Sequence, residues 1–237
     1  MAPDAIDIVS VVRILMMATA LVCSVAFWRG LVAGRSAAAD KRFRSYAATW
    51  MIGAAAAAFV VSHTGLLGTG AQYLPHGVAV GFVVAIGSLF SRRAREAFDR
   101  LSDSDVRFLM SFRMVFGAFL YAGAGIGLFP LVFALTAGTG DLLAGWLATI
   151  APSRLDSGGP SGWRWVVHGW GAIDLVDVAV LGTFVVRPWL LEHGSLGPSL
   201  LLPWVAVPLL FALNLHGLSR VSADQRKGAD AASIVPT

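Results

Sequence analysis

Seven apolar runs, each close to twenty residues long, alternate with short polar connections along the chain. They fall near 6–28, 46–68, 74–91, 107–127, 130–151, 164–187 and 197–218. At 1.5 Å per residue, a helix of that length crosses about 30 Å of hydrocarbon. Irregular backbone facing lipid leaves polar groups without partners, so such runs are restricted to helix. Composition agrees. The 237 residues are 57% hydrophobic and 14% charged, with mean hydropathy +0.72, whereas soluble domains carry about 25% charged residues. The expected fold is an all-α, polytopic membrane bundle of about seven helices, occupying residues 1–220. Residues 221–237, ending "ADAASIVPT", read as a disordered cytoplasmic tail, and no length remains for a separate soluble domain. Asp4 and Asp7 come first, at the start of the chain where a secretory signal would carry basic residues, so the first run is expected to be a retained helix.

Loop charge sets the expected orientation. The connections 29–46 and 91–107 are strongly basic, as is "RVSADQRKG" after the last run. The connections 69–75 and 128–130 carry no charge, and 188–198 carries only Glu192 and His193. Positive residues stay on the cytoplasmic side, which places the N-terminus outside and the C-terminus inside an inner (plasma) membrane. The same bias explains the net charge of +4 without a nucleic-acid partner; the lipid bilayer is the expected one.

Runs 1–3 and 4–6 share landmarks in one order. "VVRILMMATAL" sets Arg13 beside Arg113 of "SFRMVFGAFLY", "HTGLLG" sits beside "GTGDLLAG", and "HGVAVGFVVAIGSLF" beside "HGWGAIDLVDVAVLGTF". Three helices is an odd number, so the units would lie in opposite orientations: a 3+3 inverted repeat plus one helix, as in many secondary transporters. Short matches also arise readily in a chain this rich in Gly, Ala, Leu and Val.

Three acids interrupt the apolar runs: Asp141, Asp174 and Asp177. Asp141 and Asp174 fall near mid-membrane, where each unpaired Asp costs about 2.5–3.5 kcal/mol. They are therefore expected to avoid lipid. Ala134, Gly138, Asp141, Gly145 and Ala148 form a stripe of small residues that lets another helix approach; the fifth and sixth runs are expected to pair, with the acids at their seam. Asp174 and Asp177 share a helix face and form the expected titrating pair. Arg13 and Arg113, each about six residues from a membrane face, are the charge partners, and each is close enough to a face to reach water by snorkelling. Carboxyls placed this way suit a proton relay, and an equally simple reading makes them glue between helices.

His63, His76, His168 and His216 lie in or beside the runs. Facing pairs at the two membrane faces would suit axial ligation of haem b, although His168 points away from Asp174 around its helix. Spacing typical of a zinc site is missing, and Cys23 is the sole cysteine, which rules out an internal disulfide. The lysines, Lys41 and Lys227, lie outside the runs, so a retinal Schiff base within the last helix is excluded.

The leading expectation is thus a transporter or channel-like protein rather than an enzyme, coupled to protons or a small cation through Asp141, Asp174, Asp177, Arg13 and Arg113, with no resident metal and no cofactor called for. Two alternatives stand beside it: a non-catalytic membrane subunit of a larger complex or homo-oligomer, holding haem or pigment, and a membrane-embedded metal-dependent hydrolase.

Overall fold

A computed structural model of the chain describes residues 8–32, 71–150, 161–193 and 202–233. The described residues are 92% helical, without strands. Helix α1 is Ile8–Val32. A 3-10 turn, Ala71–Tyr73, leads into α2, Leu74–Ser88, with Pro75 in its first turn, where a missing N–H removes no helical bond. The basic connection folds as a short helix α3, Arg92–Phe98, whose first turn is capped by Ser91 Oγ accepting from Ala94 N. Helix α4, Asp103–Gly125, starts on a reciprocal cap: Ser102 Oγ accepts from Asp105 N, and Asp105 Oδ2 accepts from Ser102 N, both at 3.1 Å. Gly127, at φ 74°, then turns the chain where a side chain would strain it.

Three helices contain a wider, π-helical stretch. Helix α5 runs Leu131–Phe133, Ala134–Gly138 (π) and Thr139–Ile150. Helix α6 runs Ser161–Leu181, Gly182–Val186 (π) and Arg187–His193. Helix α7 runs Leu202–Ala206 (π) and Val207–Ser233. Proline accounts for two of these. Pro188 has no N–H to return to the preceding turn, and the Arg187 N–H just before it bonds to Gly182 O, five residues back. Pro203 and Pro208 lie in and just after the stretch in α7. In α5, and alongside Pro188 in α6, a threonine hydroxyl also bonds backward: Thr136 Oγ1 to Val132 O and Thr183 Oγ1 to Ala179 O, each at 2.8 Å.

Five helical segments are long and apolar enough to cross a membrane: 71–88, 104–125, 131–150, 162–193 and 202–226. The apolar part of α1, Val11–Phe27, is slightly shorter. Large apolar side chains also cover the outward faces, Ile173, Phe184 and Val83 among them, each at least two-thirds exposed. That is the surface of a membrane protein, in which lipid replaces water outside the bundle. The run expected at 46–68, with His63, lies outside the described residues. Two boundaries differ from expectation. Helix α6 continues past Pro188 to His193, and α7 continues through 221–233, part of the segment expected to be a disordered tail.

Close packing gathers α4, α5, α6 and α7 around one core. A Cβ on Gly117 of α4 would lie 2.6 Å from Gly138 O of α5. A Cβ on Gly145 would press on Met114 of α4 and lie 2.8 Å from its backbone N. The small-residue stripe of α5 is therefore spent on α4, not on α6 as expected. Gly140, one position off the stripe, is the glycine that faces α6, and a Cβ there would run into the Asp174 carboxylate.

Candidate functional site: a buried arginine between two aspartates

Arg113 sits ten residues into α4, about 15 Å along the helix. Asp141 is near the middle of α5, and Asp174 is thirteen residues into α6. The three meet at one level of the bundle. Each guanidinium direction has a partner: Nε donates to Asp141 Oδ1 at 2.7 Å, Nη1 to Gly171 O at 2.9 Å, and Nη2 to Asp174 Oδ2. Arg113 is 0% exposed and the two acids are 5% exposed. A buried ion pair is tolerable only when geometry and extra hydrogen bonds offset the desolvation of its charges, and the planar fork of arginine supplies both. Trp170 braces the cluster from the side, its indole N–H donating to Gly140 O at 3.3 Å.

Arg113 is held inside the bundle and does not snorkel to water. Helix α4 begins at Asp103, four residues before the expected start, which carries Arg113 to the helix centre. The expected pairing of Asp174 with Asp177 takes a different form as well. Asp174 turns inward to Arg113, while Asp177, one turn on, is exposed on the bundle surface and makes no ion pair among the described residues. Arg13 is half-buried on α1, away from these bonds; the pairs of both acids are made by Arg113.

A polar chain continues from Gly171 toward the basic end of the bundle. Asn214 of α7, fully buried, packs so closely that a Cβ on Gly171 would lie 2.5 Å from its Oδ1. Asn214 Nδ2 donates to Leu210 O at 2.8 Å, and Oδ1 lies 3.3 Å from His168 Nδ1. Asn214 escaped notice in the sequence, where its signal is a lone amide in the apolar stretch "FALNLHGL". His216 bonds to Ser88 at 2.9 Å and stacks on Phe98 with centroids 3.9 Å apart. His76 is exposed near Tyr73. His168 and His216 thus hold separate partners rather than facing each other as a pair. Among the described residues, no three His, Cys, Asp or Glu side chains gather as a metal-binding group.

Cavities flank the cluster on both sides. Toward the uncharged end, a narrow cavity of about 60 Å³ is walled by Phe116, Leu120, Phe133, Leu175 and Val207, with Asp141 its charged lining residue. It has room for a few water molecules. Residues of the π-helical stretches in α6 and α7, including Gly182, Thr183 and Leu202, also line it. Toward the basic end, a cavity of about 620 Å³ reaches inward to Met110, His168 and Leu213. On α4 the two cavities come as near as Met110 and Phe116, three residues to either side of Arg113. Arg113 lies between these two levels on α4.

The family model described as Domain of unknown function (DUF8737) matches residues 74–221, and the chain belongs to that family. The matched span contains Arg113, Asp141, Asp174, His168 and Asn214. Comparison with curated proteins and with solved structures gives no match.

Proposed function

We propose that this member of the DUF8737 family is a proton-coupled transporter of an inner membrane, with its N-terminus outside and its basic end in the cytoplasm. Arg113, Asp141 and Asp174 form its coupling centre. One observation carries the reading: a fully buried guanidinium bridges two carboxylates at mid-bundle, between cavities that approach it from opposite ends. Arginine stays protonated, so the charge that can change belongs to the acids. Two carboxylates around one guanidinium leave one negative charge in excess, and a single proton or small cation neutralises it. The acids titrate as one unit rather than as two independent groups.

One order of events fits this geometry. A proton arriving at Asp174 Oδ2 weakens the bond from Arg113 Nη2, while Nε keeps Asp141 and Nη1 keeps Gly171 O. The freed side of the guanidinium lets α6 shift against α4, and the way opens to the other cavity. The large cavity at the basic end and the small one opposite support an inward-facing reading. His168 and Asn214 stand between the large cavity and Gly171 and offer hydrogen bonds along that approach.

A second reading draws on the same bonds. All three guanidinium directions are satisfied, as in a static lock holding α4, α5 and α6, which suits a scaffold subunit that moves nothing. Purified protein in liposomes with a trapped pH dye separates the two. The transporter reading predicts pH-driven proton flux in the parent, lost in Asp141→Asn and Asp174→Asn although both variants insert and fold. Equal flux through parent and variants, or none through a folded parent under any gradient, leaves the lock.

A further inference from the structure

The large cavity at the basic end has chemistry that the coupling centre does not use. It is lined by three guanidiniums, Arg107 of α4, Arg164 of α6 and Arg220 of α7, against two carboxylates, Asp99 and Asp224. The carboxylates engage two of the arginines from the rim: Arg164 Nη1 to Asp224 at 3.3 Å and Arg220 Nε to Asp99 at 3.5 Å, with both acids more than half exposed. Such exposed pairs are worth little and yield readily to a better anion. Arg107, half-buried in the wall, makes no ion pair among the described residues. Among the described lining residues, the arginines outnumber the carboxylates and come from three different helices.

Its inner wall is of opposite character. Phe98, Leu101, Met110, Val167 and Leu213 continue inward from the arginines. At about 620 Å³ the space falls within the range of small-molecule sites, about 300–1,000 Å³. A simple inorganic ion would leave most of it unfilled, and a neutral apolar molecule would leave the guanidiniums unanswered. Arginine forks match phosphate oxygens in pairs, and basic pockets between membrane helices at the cytoplasmic face hold phosphate headgroups.

We propose that this cavity binds a phosphate-bearing amphiphile, with the phosphate held by Arg107, Arg164 and Arg220 and the apolar body lying along the Phe98–Met110–Leu213 wall. The site does not depend on proton movement at Arg113. Two sources share this chemistry, a phospholipid of the bilayer and a soluble organic phosphate.

Detergent-purified full-length protein is titrated with dihexanoyl phosphatidate, with dihexanoyl phosphatidylcholine, and with a phosphorylated short-chain alcohol, and binding is read by native mass spectrometry and thermal shift. Saturable binding of phosphatidate at least tenfold tighter than of phosphatidylcholine is expected, weakened at least tenfold by Arg107→Gln or by Arg220→Gln. Arg92→Gln removes the same charge from an exposed position paired with Glu96, outside the cavity, and should bind as the parent does. Tighter binding of the phosphorylated alcohol assigns the site to a soluble ligand, and tighter binding of phosphatidate assigns it to lipid. Equal affinity for the two phospholipids, or equal weakening by Arg92→Gln and by the cavity variants, overturns the proposal.

Discussion

At the scale of single residues, the energetics of Arg113 are asymmetric. The complete cluster contributes modestly to stability, because desolvation offsets most of its Coulomb energy. Removing one member of a buried ion pair, by contrast, costs about 3–5 kcal/mol, since a charge is left uncompensated. Arg113→Gln should therefore lower the thermal unfolding midpoint in detergent sharply. Arg113→Lys should not restore it, because an ammonium cannot direct three donors to Asp141, Gly171 O and Asp174 at once. Asp177→Leu tests the opposite case. Its carboxylate is exposed among Ile173, Val176 and Val180, and replacement should be neutral or stabilising in the same assay. The sequence marked Asp141, Asp174 and Arg113 as unusual because charge inside an apolar run stands out. It left open which acid turns inward. Asp174 and Asp177 are separated by less than a quadrant around α6, and only the packing of Gly140 against α6 decides between them.

At the scale of elements, the helices were legible because hydrophobic length is a strong signal; the runs at 74–91, 107–127, 130–151 and 164–187 each coincide with a described helix. Their interruptions and partners were less so. Pro188 reads locally as a helix end, yet the wider turn at Gly182–Val186 absorbs its missing N–H and α6 continues. The stripe Gly138–Gly145 correctly announces a close helix contact, but small residues do not say which helix approaches, and α4 does. These contacts give glycine substitutions predictable signs. Gly140→Ala and Gly145→Ala place a methyl where Asp174 and Met114 already sit, and each should destabilise by about 1–3 kcal/mol. Gly169→Ala, on α6 with nothing within 4 Å of the added atom, should stabilise by about 0.5–1 kcal/mol through reduced backbone entropy. Equal thermal midpoints for the three variants would contradict this packing.

At the scale of the whole molecule, Arg107, Arg164 and Arg220 line one cavity at one end of the described helices, so orientation and mechanism are linked. With Cys23 replaced by Ala, a membrane-impermeant thiol reagent on intact cells should label Glu192→Cys and spare Arg100→Cys; the reverse pattern would turn the large cavity outward. The proposed coupling is narrower than topology: Asp141 and Asp174, held by Arg113, would exchange a proton as a unit. pH-difference infrared spectroscopy of the reconstituted protein reads carboxyl protonation directly. A protonated-carboxyl stretch should appear and vanish reversibly with pH in the parent and be lost or displaced in both Asp141→Asn and Asp174→Asn, while persisting in Asp177→Asn. A parent spectrum without a titrating carboxyl, or one unchanged in both cluster variants, would contradict it.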